Sequence, residues 1–318
     1  MIMKKILKLF ILFFSIEMLF CCSGSKTSAA TKVTVTRKEA TAPVRVGTDF
    51  ALRAKVTGTK EKPIRWVSRN EKYAIVSKKG IVRAKRAGIG KTVRIVAACG
   101  NAKGGITLTI LPKINPKKKM IALTYDDGPR YSSTRKILRA LKQEKAVATF
   151  FTVGSNTASA KNRKILKQSF DYGNEIANHT QSHKNLTRIT SAEVRREIRT
   201  TDRRLQKLLG VKPTLFRPPY GAMSAVTRKI SAKPNIMWSV DTLDWKTRNA
   251  NSTYRCIMRN AKDGSIVLMH DIHDATANAA LRMLKGLKKK GYQFVTVDEL
   301  YRYKRKKLHV AGSYFCVK

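Results

Sequence analysis

Residues 31–112 alternate between apolar and polar side chains in short segments. Because successive side chains of a strand point to opposite faces, this alternation indicates strands with one buried face. Gly- or Asn-containing turns separate several of the segments, and many short strands at regular spacing are typical of a β-sandwich. We therefore predict an all-β domain over residues 31–112, with strands at 33–36, 50–56, 64–67, 74–76, 81–84, 93–97 and 106–110.

From Met120 the pattern changes, because apolar strand candidates now alternate with helical stretches. Repeated strand–helix units predict a parallel α/β sheet, open or closed into a barrel, over residues 120–318. In such folds the chemistry gathers at the carboxyl ends of the strands. The predicted helices lie near 134–144, 159–172 and 191–209, and the predicted strands at 121–125, 146–153, 175–178, 214–216, 236–240, 265–269 and 294–297.

A short segment rich in proline and lysine separates these two parts of the chain. Between Leu111 and Lys119 there are Pro112 and Pro116 together with several lysines. Such composition is typical of a connection rather than of a helix or a strand. We predict a linker over residues 113–119.

The first residues have the pattern of a targeting segment. Lys4, Lys5 and Lys8 precede an apolar run, Leu9–Cys22, which is too short for a comfortable membrane span. We predict that residues 1–30 are a signal peptide or an N-terminal anchor, either cleaved before Thr31, lipidated at the Cys21–Cys22 pair or retained. Each route places the protein outside the cell, in the cell wall or anchored on the outer face of the membrane.

The charge of the chain is far from balanced. It has 66 Lys and Arg residues against 20 Asp and Glu, a formal net charge of +46. A surface of this kind attracts polyanions, which include nucleic acid, anionic cell-wall polymers and membrane headgroups. Export, and the lack of a basic stripe interleaved with aromatic residues, argue against nucleic acid.

Few cysteines lie beyond the predicted leader. Cys99, Cys256 and Cys316 are the three, so they cannot all pair within one chain and no disulfide framework follows. A single pair, such as Cys256 with Cys316, remains open at this point.

The histidines are concentrated in two pairs. The chain has five, and four of them stand as His179/His183 and His270/His273. On a helical turn the i, i+4 spacing of His179 and His183 would direct both imidazoles to one divalent metal ion. Taken alone, the pair could equally be solvent-facing or capping residues. We interpret His273 as a solvated loop residue, with a second metal pair His270/His273 as the alternative.

Asp126 and Asp127 end a strand that has the composition of a buried one and precede a Gly-Pro turn. Adjacent residues at a strand end point in opposite directions, so one aspartate could bind a metal while the other faces a substrate. In isolation the same motif could be a polar turn.

Three further motifs follow predicted strands. They are Arg217-Pro218-Pro219-Tyr220-Gly221, Asp241-Thr242-Leu243-Asp244-Trp245 and Leu268-Met269-His270-Asp271. With Asp126-Asp127 and the His179/His183 pair, and in this order, they resemble the polysaccharide deacetylase (NodB homology, carbohydrate esterase family 4) domain. The match spans about residues 120–300.

Earlier in the chain, the segments at 66–70, 74–77, 80–84 and Gly88 resemble the bacterial Ig-like group 2 domain.

The deacetylase resemblance implies a distorted (β/α) barrel that hydrolyses N-acetyl groups on a sugar polymer. It implies the following roles: Asp127, His179 and His183 as metal ligands; Asp126 as catalytic base, oriented by Arg217; His270 as catalytic acid, supported by Asp244; Tyr220 as the donor of a backbone N–H to the oxyanion; and Trp245 and Leu268 as apolar walls of the acetyl pocket. Tyr125 replaces the phenylalanine that is more usual in the first motif.

Two imidazoles and one carboxylate leave coordination positions open, as in catalytic metal sites. This donor set favours zinc, although cobalt or manganese would also fit. Export and basic charge favour peptidoglycan, at N-acetylglucosamine or N-acetylmuramic acid, as the acetylated glycan. The alternatives are chitin-like oligomers, poly-N-acetylglucosamine or acetylated xylan as substrate, and a catalytically inactive wall-binding protein.

Overall fold

A computed structural model describes residues 30–38, 43–58 and 63–317. Of the predicted leader, residues 1–30, only Ala30 is among the described residues. The first part of the chain forms two four-stranded sheets, with strand orders β1-β3-β6-β5 and β2-β8-β7-β4. The strands are β1 (Lys32–Arg37), β2 (Val44–Arg45), β3 (Asp49–Thr57), β4 (Arg65–Ser68), β5 (Ala74–Val76), β6 (Ile81–Ala84), β7 (Thr92–Cys99) and β8 (Ala102–Leu111).

The predicted alternation is visible in the burial of these strands. Phe50 and Leu52 of β3 and Val93 and Ile95 of β7 are buried, and they pack with residues of both sheets in one core. Trp66 is half-buried against the same core. The two-residue strand β2 was not predicted, because so short a segment shows no alternation.

The second part of the chain has a six-stranded parallel sheet and a two-stranded parallel sheet, with helices packed against them, as predicted for an α/β fold. Its strands are β9 (Met120–Asp126), β10 (Thr149–Thr152), β11 (Glu175–Asn178), β12 (Asn235–Ile236), β13 (Val240–Asp241), β14 (Ser265–His270), β15 (Gln293–Phe294) and β16 (Ser313–Tyr314). Its helices are α1 (Tyr131–Glu144), α2 (Ala160–Tyr172), α3 (Ser191–Leu209), α4 (Ala225–Ser231), α5 (Asp244–Thr247), α6 (Ala250–Asn260), α7 (Asp274–Lys289) and α8 (Val297–Tyr303).

Strand β9 lies at the centre of the sheet, which has the order β11-β10-β9-β14-β13. All of its residues are buried, because a parallel sheet is covered on both faces. In the register of the sheet, Asp126 of β9 lies beside His270 of β14 and Phe151 of β10. The carboxyl ends of these strands therefore bring the predicted motifs to one edge.

Four predicted strands differ from the structure. The one predicted at 146–153 is shorter and covers only Thr149–Thr152. Residues 214–216 contribute only single bridges at Phe216, to Asn178 and Asn235, and 236–240 is divided into the ends of β12 and β13. The last predicted strand, 294–297, ends at Phe294. Thr296 and Glu299 form a reciprocal capping box there, which starts a helix at Val297.

The sandwich packs against the amino-terminal edge of the parallel sheet through two buried arginines. Arg45 forms a two-pronged ion pair with Glu299, at 2.5 and 2.8 Å, and donates to the carbonyl of Phe294 at 3.0 Å. Arg37 donates to the carbonyl of Asp171 at 2.7 Å and stacks on Phe170. Phe294 pairs with Ile121 near the start of β9, and Asp171 shortly precedes the start of β11, so both contacts lie on the side of the sheet opposite to the predicted motifs.

Cys256 and Cys316 are not joined in a disulfide, so the pairing that the sequence left open is not formed. Among the helices of the described residues, none is both long and apolar enough to cross a membrane.

Candidate metal centre and active-site cleft

Three predicted metal ligands converge at the carboxyl edge of the sheet. One donor atom each from Asp127, His179 and His183 lies within 4.8 Å of the others. Asp127 Oδ1 is 3.4 Å from His179 Nε2 and 3.1 Å from His183 Nε2. Within the part of the chain that the structure describes, this is the only such group of three or more His, Cys, Asp or Glu residues.

The backbone turns sharply at Asp127. Its φ is 72°, so the residue directly after β9 leaves the extended conformation that Asp126 still has. The expectation that the two carboxylates point in opposite directions is therefore wrong, because it assumed a strand that continues through both. Both face the cleft. Gly128 follows, and a Cβ atom there would lie 2.0 Å from Asp271 Oδ1, so the turn accepts only glycine.

The two histidines converge without a helix. His179 follows β11 directly, and the next residues form an irregular loop in which Thr180 and His183 have φ values of 68° and 57°. The predicted helical turn is thus wrong, although the predicted convergence is present. The carboxylate of Glu197 holds the loop by accepting from the backbone N–H groups of Gln181 and Ser182, at 2.9 and 2.7 Å.

The donor set fits a divalent cation. His179 Nδ1 lies 2.7 Å from the carbonyl oxygen of Arg217, which can only accept, so Nδ1 carries the proton. In the neutral ring, Nε2 then directs a lone pair at Asp127 Oδ1, a buried oxygen without a hydrogen-bond donor. Converging lone pairs need a cation between them. A second hydrogen bond that orients a metal-binding imidazole is common in metal sites.

The pKa of Asp127 agrees with a charged ligand. Burial alone would raise the pKa of this carboxyl, but the adjacent imidazoles of His179 and His183 hold it far below its ordinary value. Asp127 therefore stays ionised throughout the neutral range.

Asp126 is fixed by a fully buried arginine. Arg217 Nη1 donates to Asp126 Oδ1 at 2.7 Å and to Thr124 Oγ1 at 2.8 Å. Its other nitrogens donate to the carbonyls of Ile236 and Met237. The second oxygen of Asp126 lies 3.7 Å from His179 Nε2, next to the three converging donors. Arg217 thus orients the Asp126 carboxylate through one oxygen and leaves the other oxygen facing the cleft.

His270 lies on the other side of the cleft. Its Nδ1 is 2.8 Å from Asp244 Oδ1, and its backbone N–H donates to Asp244 Oδ2. Burial lowers the pKa of His270, but the hydrogen bond to Asp244 and the negative charges of Asp244, Asp126 and Asp127 outweigh it and raise the pKa to about 9. At neutral pH the ring is an imidazolium whose Nε2–H is free to donate.

These groups line one cleft of about 370 Å³. Leu268 is buried in its wall, whereas Trp245 and Tyr220 are exposed at its rim. Tyr220 has a φ of 61°, and its ring packs edge-on against His183 with centroids 4.7 Å apart. The structure therefore brings all the predicted site residues together around this cleft, either in its lining or, for Arg217 and Asp244, directly behind it.

His273 differs from its prediction. The residue is buried rather than solvated, and its Nδ1 lies 2.9 Å from Arg248 Nη1. Its ring stacks at a tilt on His270, with centroids 5.7 Å apart. No third ligand joins this pair among the described residues, so the alternative of a second metal site has no support.

Several residues of the site were not predicted. Glu197 holds the histidine loop, Thr276 donates to Asp244 Oδ2 at 2.5 Å, and Trp238 forms part of the cleft wall. One signal was available for Glu197, because it falls on the apolar face of helix α3 between Val194 and Ile198. An acid at a core position of a helix indicates a buried partner.

Comparisons with known proteins show the family to which the chain belongs. Residues 113–237 match the family described as polysaccharide deacetylase. A peptidoglycan-N-acetylglucosamine deacetylase of Bacillus cereus is 37% identical over 195 residues, which cover 59% of this chain and 90% of that protein. The chain belongs to the polysaccharide deacetylase family.

Two further relatives lie within the same family. The peptidoglycan-N-acetylglucosamine deacetylase PgdA of Listeria monocytogenes is 41% identical over 205 residues, covering 64% of this chain and 43% of the relative. The chain thus spans less than half the length of that protein. The structure of the peptidoglycan deacetylase PdaC from Bacillus subtilis superimposes with a TM-score of 0.59 at 40% identity, covering 60% of this chain and 94% of that one.

Proposed function

We propose that this chain is a metal-dependent deacetylase that removes N-acetyl groups from peptidoglycan, at N-acetylglucosamine or N-acetylmuramic acid. The observation that carries the proposal is the convergence of Asp127, His179 and His183 between an oriented carboxylate, Asp126, and a charged imidazole, His270. The family membership and the names of the relatives support the same reaction. The basic charge suits a protein that works among anionic wall polymers.

The metal ligands in this proposal are Asp127, His179 and His183, and zinc is the ion that their donor set favours, with cobalt and manganese as alternatives. A bound divalent ion would supply Lewis acidity toward water and the acetyl carbonyl. The backbone N–H of Tyr220 would add a hydrogen bond to the developing oxyanion. Trp245 and Leu268 would hold the acetyl methyl group.

Asp126 and His270 each carry out one of the two proton transfers. Asp126 accepts a proton from the attacking water at the oxygen that Arg217 leaves free. His270 donates its Nε2 proton to the departing amine, while Asp244 keeps the imidazolium in place. Each such group contributes roughly 10²–10⁴-fold to the rate.

The direct test is release of acetate from purified peptidoglycan and from chitooligosaccharides, with and without added Zn²⁺. We expect zinc-dependent release, and mass spectrometry of the products would identify the deacetylated sugar. Asp127→Asn should abolish both tight zinc binding and acetate release, whereas Asp274→Asn, at an exposed carboxylate outside the cleft, should change neither. Full activity of the Asp127 variant would refute the ligand assignment.

The same products separate the alternatives. Turnover of chitin-like oligomers, poly-N-acetylglucosamine or acetylated xylan, without turnover of peptidoglycan, would keep the mechanism and change the polymer. Tight zinc binding without turnover on any acetylated glycan would instead indicate a wall-binding protein.

We also propose that the two sheets of residues 31–112 are an Ig-like domain of the bacterial group 2 type, that residues 113–119 link it to the catalytic part at 120–318, and that the protein is exported. The order of two packed four-stranded sheets supports the first point. Detection of the protein in the cell-envelope fraction, with its N-terminus read by sequencing, would test the last one.

A further inference from the structure

A second cavity, of about 620 Å³, lies far from the metal ligands, between the sandwich and the parallel α/β part. Its sandwich wall comes from strands β1, β7 and β8, and its other wall comes from the carboxyl-terminal ends of helices α1, α2 and α3. We call it the interdomain groove. The lining residues used below are Arg37, Arg94, Lys142, Lys167, Asp171 and Lys207.

The groove is strongly cationic. Five basic side chains line it, and Asp171 is the one acidic residue among its lining residues. Asp171 is already paired, since both of its carboxylate oxygens lie 2.9 Å from Lys167 Nζ. Among the described residues, Arg94, Lys142 and Lys207 take part in no ion pair, and all three are exposed.

The helix ends do not account for this charge. Lys142 and Lys207 lie in the last turns of α1 and α3, where a cation complements the helix dipole. Each dipole contributes only roughly half a negative charge at that end, so three helices offset less than two positive charges. The five basic groups, less one carboxylate, leave a clear positive excess.

Arg37 adds a charge that makes no ion pair among the described residues. It is buried, it donates to a backbone carbonyl, and within the described part of the chain its Nε and Nη1 have no hydrogen-bond partner. Burial lowers its pKa to about 10, against the charge of Asp171, so it remains a cation at neutral pH. Cation–π contacts with the rings of Phe170 and Phe50 only partly compensate the Arg37 guanidinium for its lost hydration. Such a charge at the base of the groove favours an anion above it.

We propose that the interdomain groove binds a phosphodiester polymer of the cell envelope, held between the two parts of the chain. Threonine hydroxyls of β1, β7 and β8 line the sandwich wall and can donate to phosphate oxygens. The aromatic residues of the lining, Phe170 and Tyr172, are buried, so the groove offers no platform for stacking bases. A recessed groove also excludes the flat headgroup layer of a membrane.

This proposal is independent of the deacetylase reaction, because binding is measured without turnover. The full chain is titrated with a glycerol-phosphate oligomer by calorimetry at several salt concentrations. We expect the double variant Lys142→Gln/Lys207→Gln to weaken binding on the order of tenfold and to reduce the salt dependence of log K by roughly 0.7 per lysine. Arg94→Gln, on the opposite wall, should weaken binding in the same direction.

The matched control is Lys78→Gln/Lys79→Gln, which removes the same charge from the turn between β5 and β6, at the far edge of the sheet from β1. It should bind the oligomer like the unaltered chain. Equal weakening in both double variants would overturn the proposal in favour of a general charge effect. It would also be overturned if single-stranded DNA or phosphatidylglycerol vesicles bound as tightly with the same dependence on Lys142 and Lys207. Turnover of a soluble glycan should be unchanged in every one of these variants.

Discussion

The neighbouring carboxylates of Asp126 and Asp127 are held in different ways, and this difference separates their proposed roles. Asp126 is clamped by Arg217, whose guanidinium is fully buried and satisfied by four acceptors. Asp127 Oδ1 has only imidazole nitrogens beside it and no hydrogen-bond donor. A carboxylate that is already hydrogen-bonded can act as an oriented base, whereas one that has only imidazole nitrogens beside it can serve as a metal ligand.

At the residue scale, Asp126→Asn should leave zinc binding close to normal and reduce kcat by roughly 10²–10⁴-fold, because an amide cannot take the proton from water. Isothermal titration with Zn²⁺ and acetate-release kinetics measure the two effects separately. The combination of intact metal binding and lost turnover distinguishes a base from a ligand. A variant that lost zinc as completely as Asp127→Asn would contradict the assignment.

The raised pKa of His270 predicts an alkaline limit to activity. The acid form of the imidazole is present below a pKa of about 9 and is lost as the pH rises through that value. A metal cation beside Asp126 and Asp127 would offset part of their negative charge. The alkaline loss of activity should therefore have its midpoint at or below pH 9. A pH profile of kcat/KM on a soluble glycan measures it.

Asp244→Asn tests the cause of that limit. Without the Asp244 carboxylate, the hydrogen bond and the charge that do most to raise the pKa of His270 are lost, so the alkaline loss of activity should move to lower pH and kcat should fall. An unchanged midpoint in this variant would show that another group sets it.

At the scale of elements, the histidine loop shows where sequence reasoning succeeded and where it failed. Strand β11 and helix α3 were predicted at their observed bounds, and in α3 the apolar pattern is long and regular. The loop between them was assigned a helical turn, since spacing alone cannot reveal the left-handed residues Thr180 and His183. The convergence of the imidazoles comes instead from hydrogen bonds to Glu197, a residue of another element.

Glu197→Gln should therefore weaken zinc binding on the order of tenfold to a hundredfold, although Glu197 touches no metal ligand side chain. An amide keeps one acceptor oxygen but cannot accept from Gln181, Ser182 and the Ser182 hydroxyl together. Zinc titration of this variant and of Glu71→Gln, at an exposed carboxylate, provides the comparison. Equal affinities would show that the loop holds its shape without Glu197.

Sequence patterns predicted the presence of strands and helices better than their lengths or the contacts between them. The strand segments near 214–216 and 236–240 are interrupted in the structure because their residues pair only through short bridges. His273 was expected in solvent, yet it is buried beneath the start of helix α7, where Arg248 contacts it. Such contacts depend on residues distant in sequence, so a local apolar pattern cannot predict them.

At the scale of the whole molecule, the Arg45–Glu299 pair joins the sandwich to the α/β part. Both side chains are almost completely buried, and Glu299 also caps helix α8. Removing one partner of such a pair leaves the other charge buried without compensation, which costs about 3–5 kcal/mol. The two parts of the chain are thus coupled through a small number of buried groups.

Arg45→Ala should lower the unfolding temperature and divide a single thermal transition into two, as the sandwich loses its contact with Glu299. Differential scanning calorimetry measures both effects. Arg83→Ala is the matched control, because Arg83 also makes a two-pronged pair with a carboxylate, Asp49, but at an exposed site where such pairs contribute little. A single transition at the same temperature in both variants would argue against coupling.

The sandwich contacts the amino-terminal edge of the parallel sheet, while the cleft opens at the opposite edge and takes none of its lining residues from the sandwich. In the proposed reaction, a glycan strand therefore reaches the cleft without threading a free end past the sandwich. Sugars in the middle of a long strand are then as accessible as those at its ends. We expect acetyl groups to be lost at scattered internal positions, rather than in sequence from one terminus of the strand.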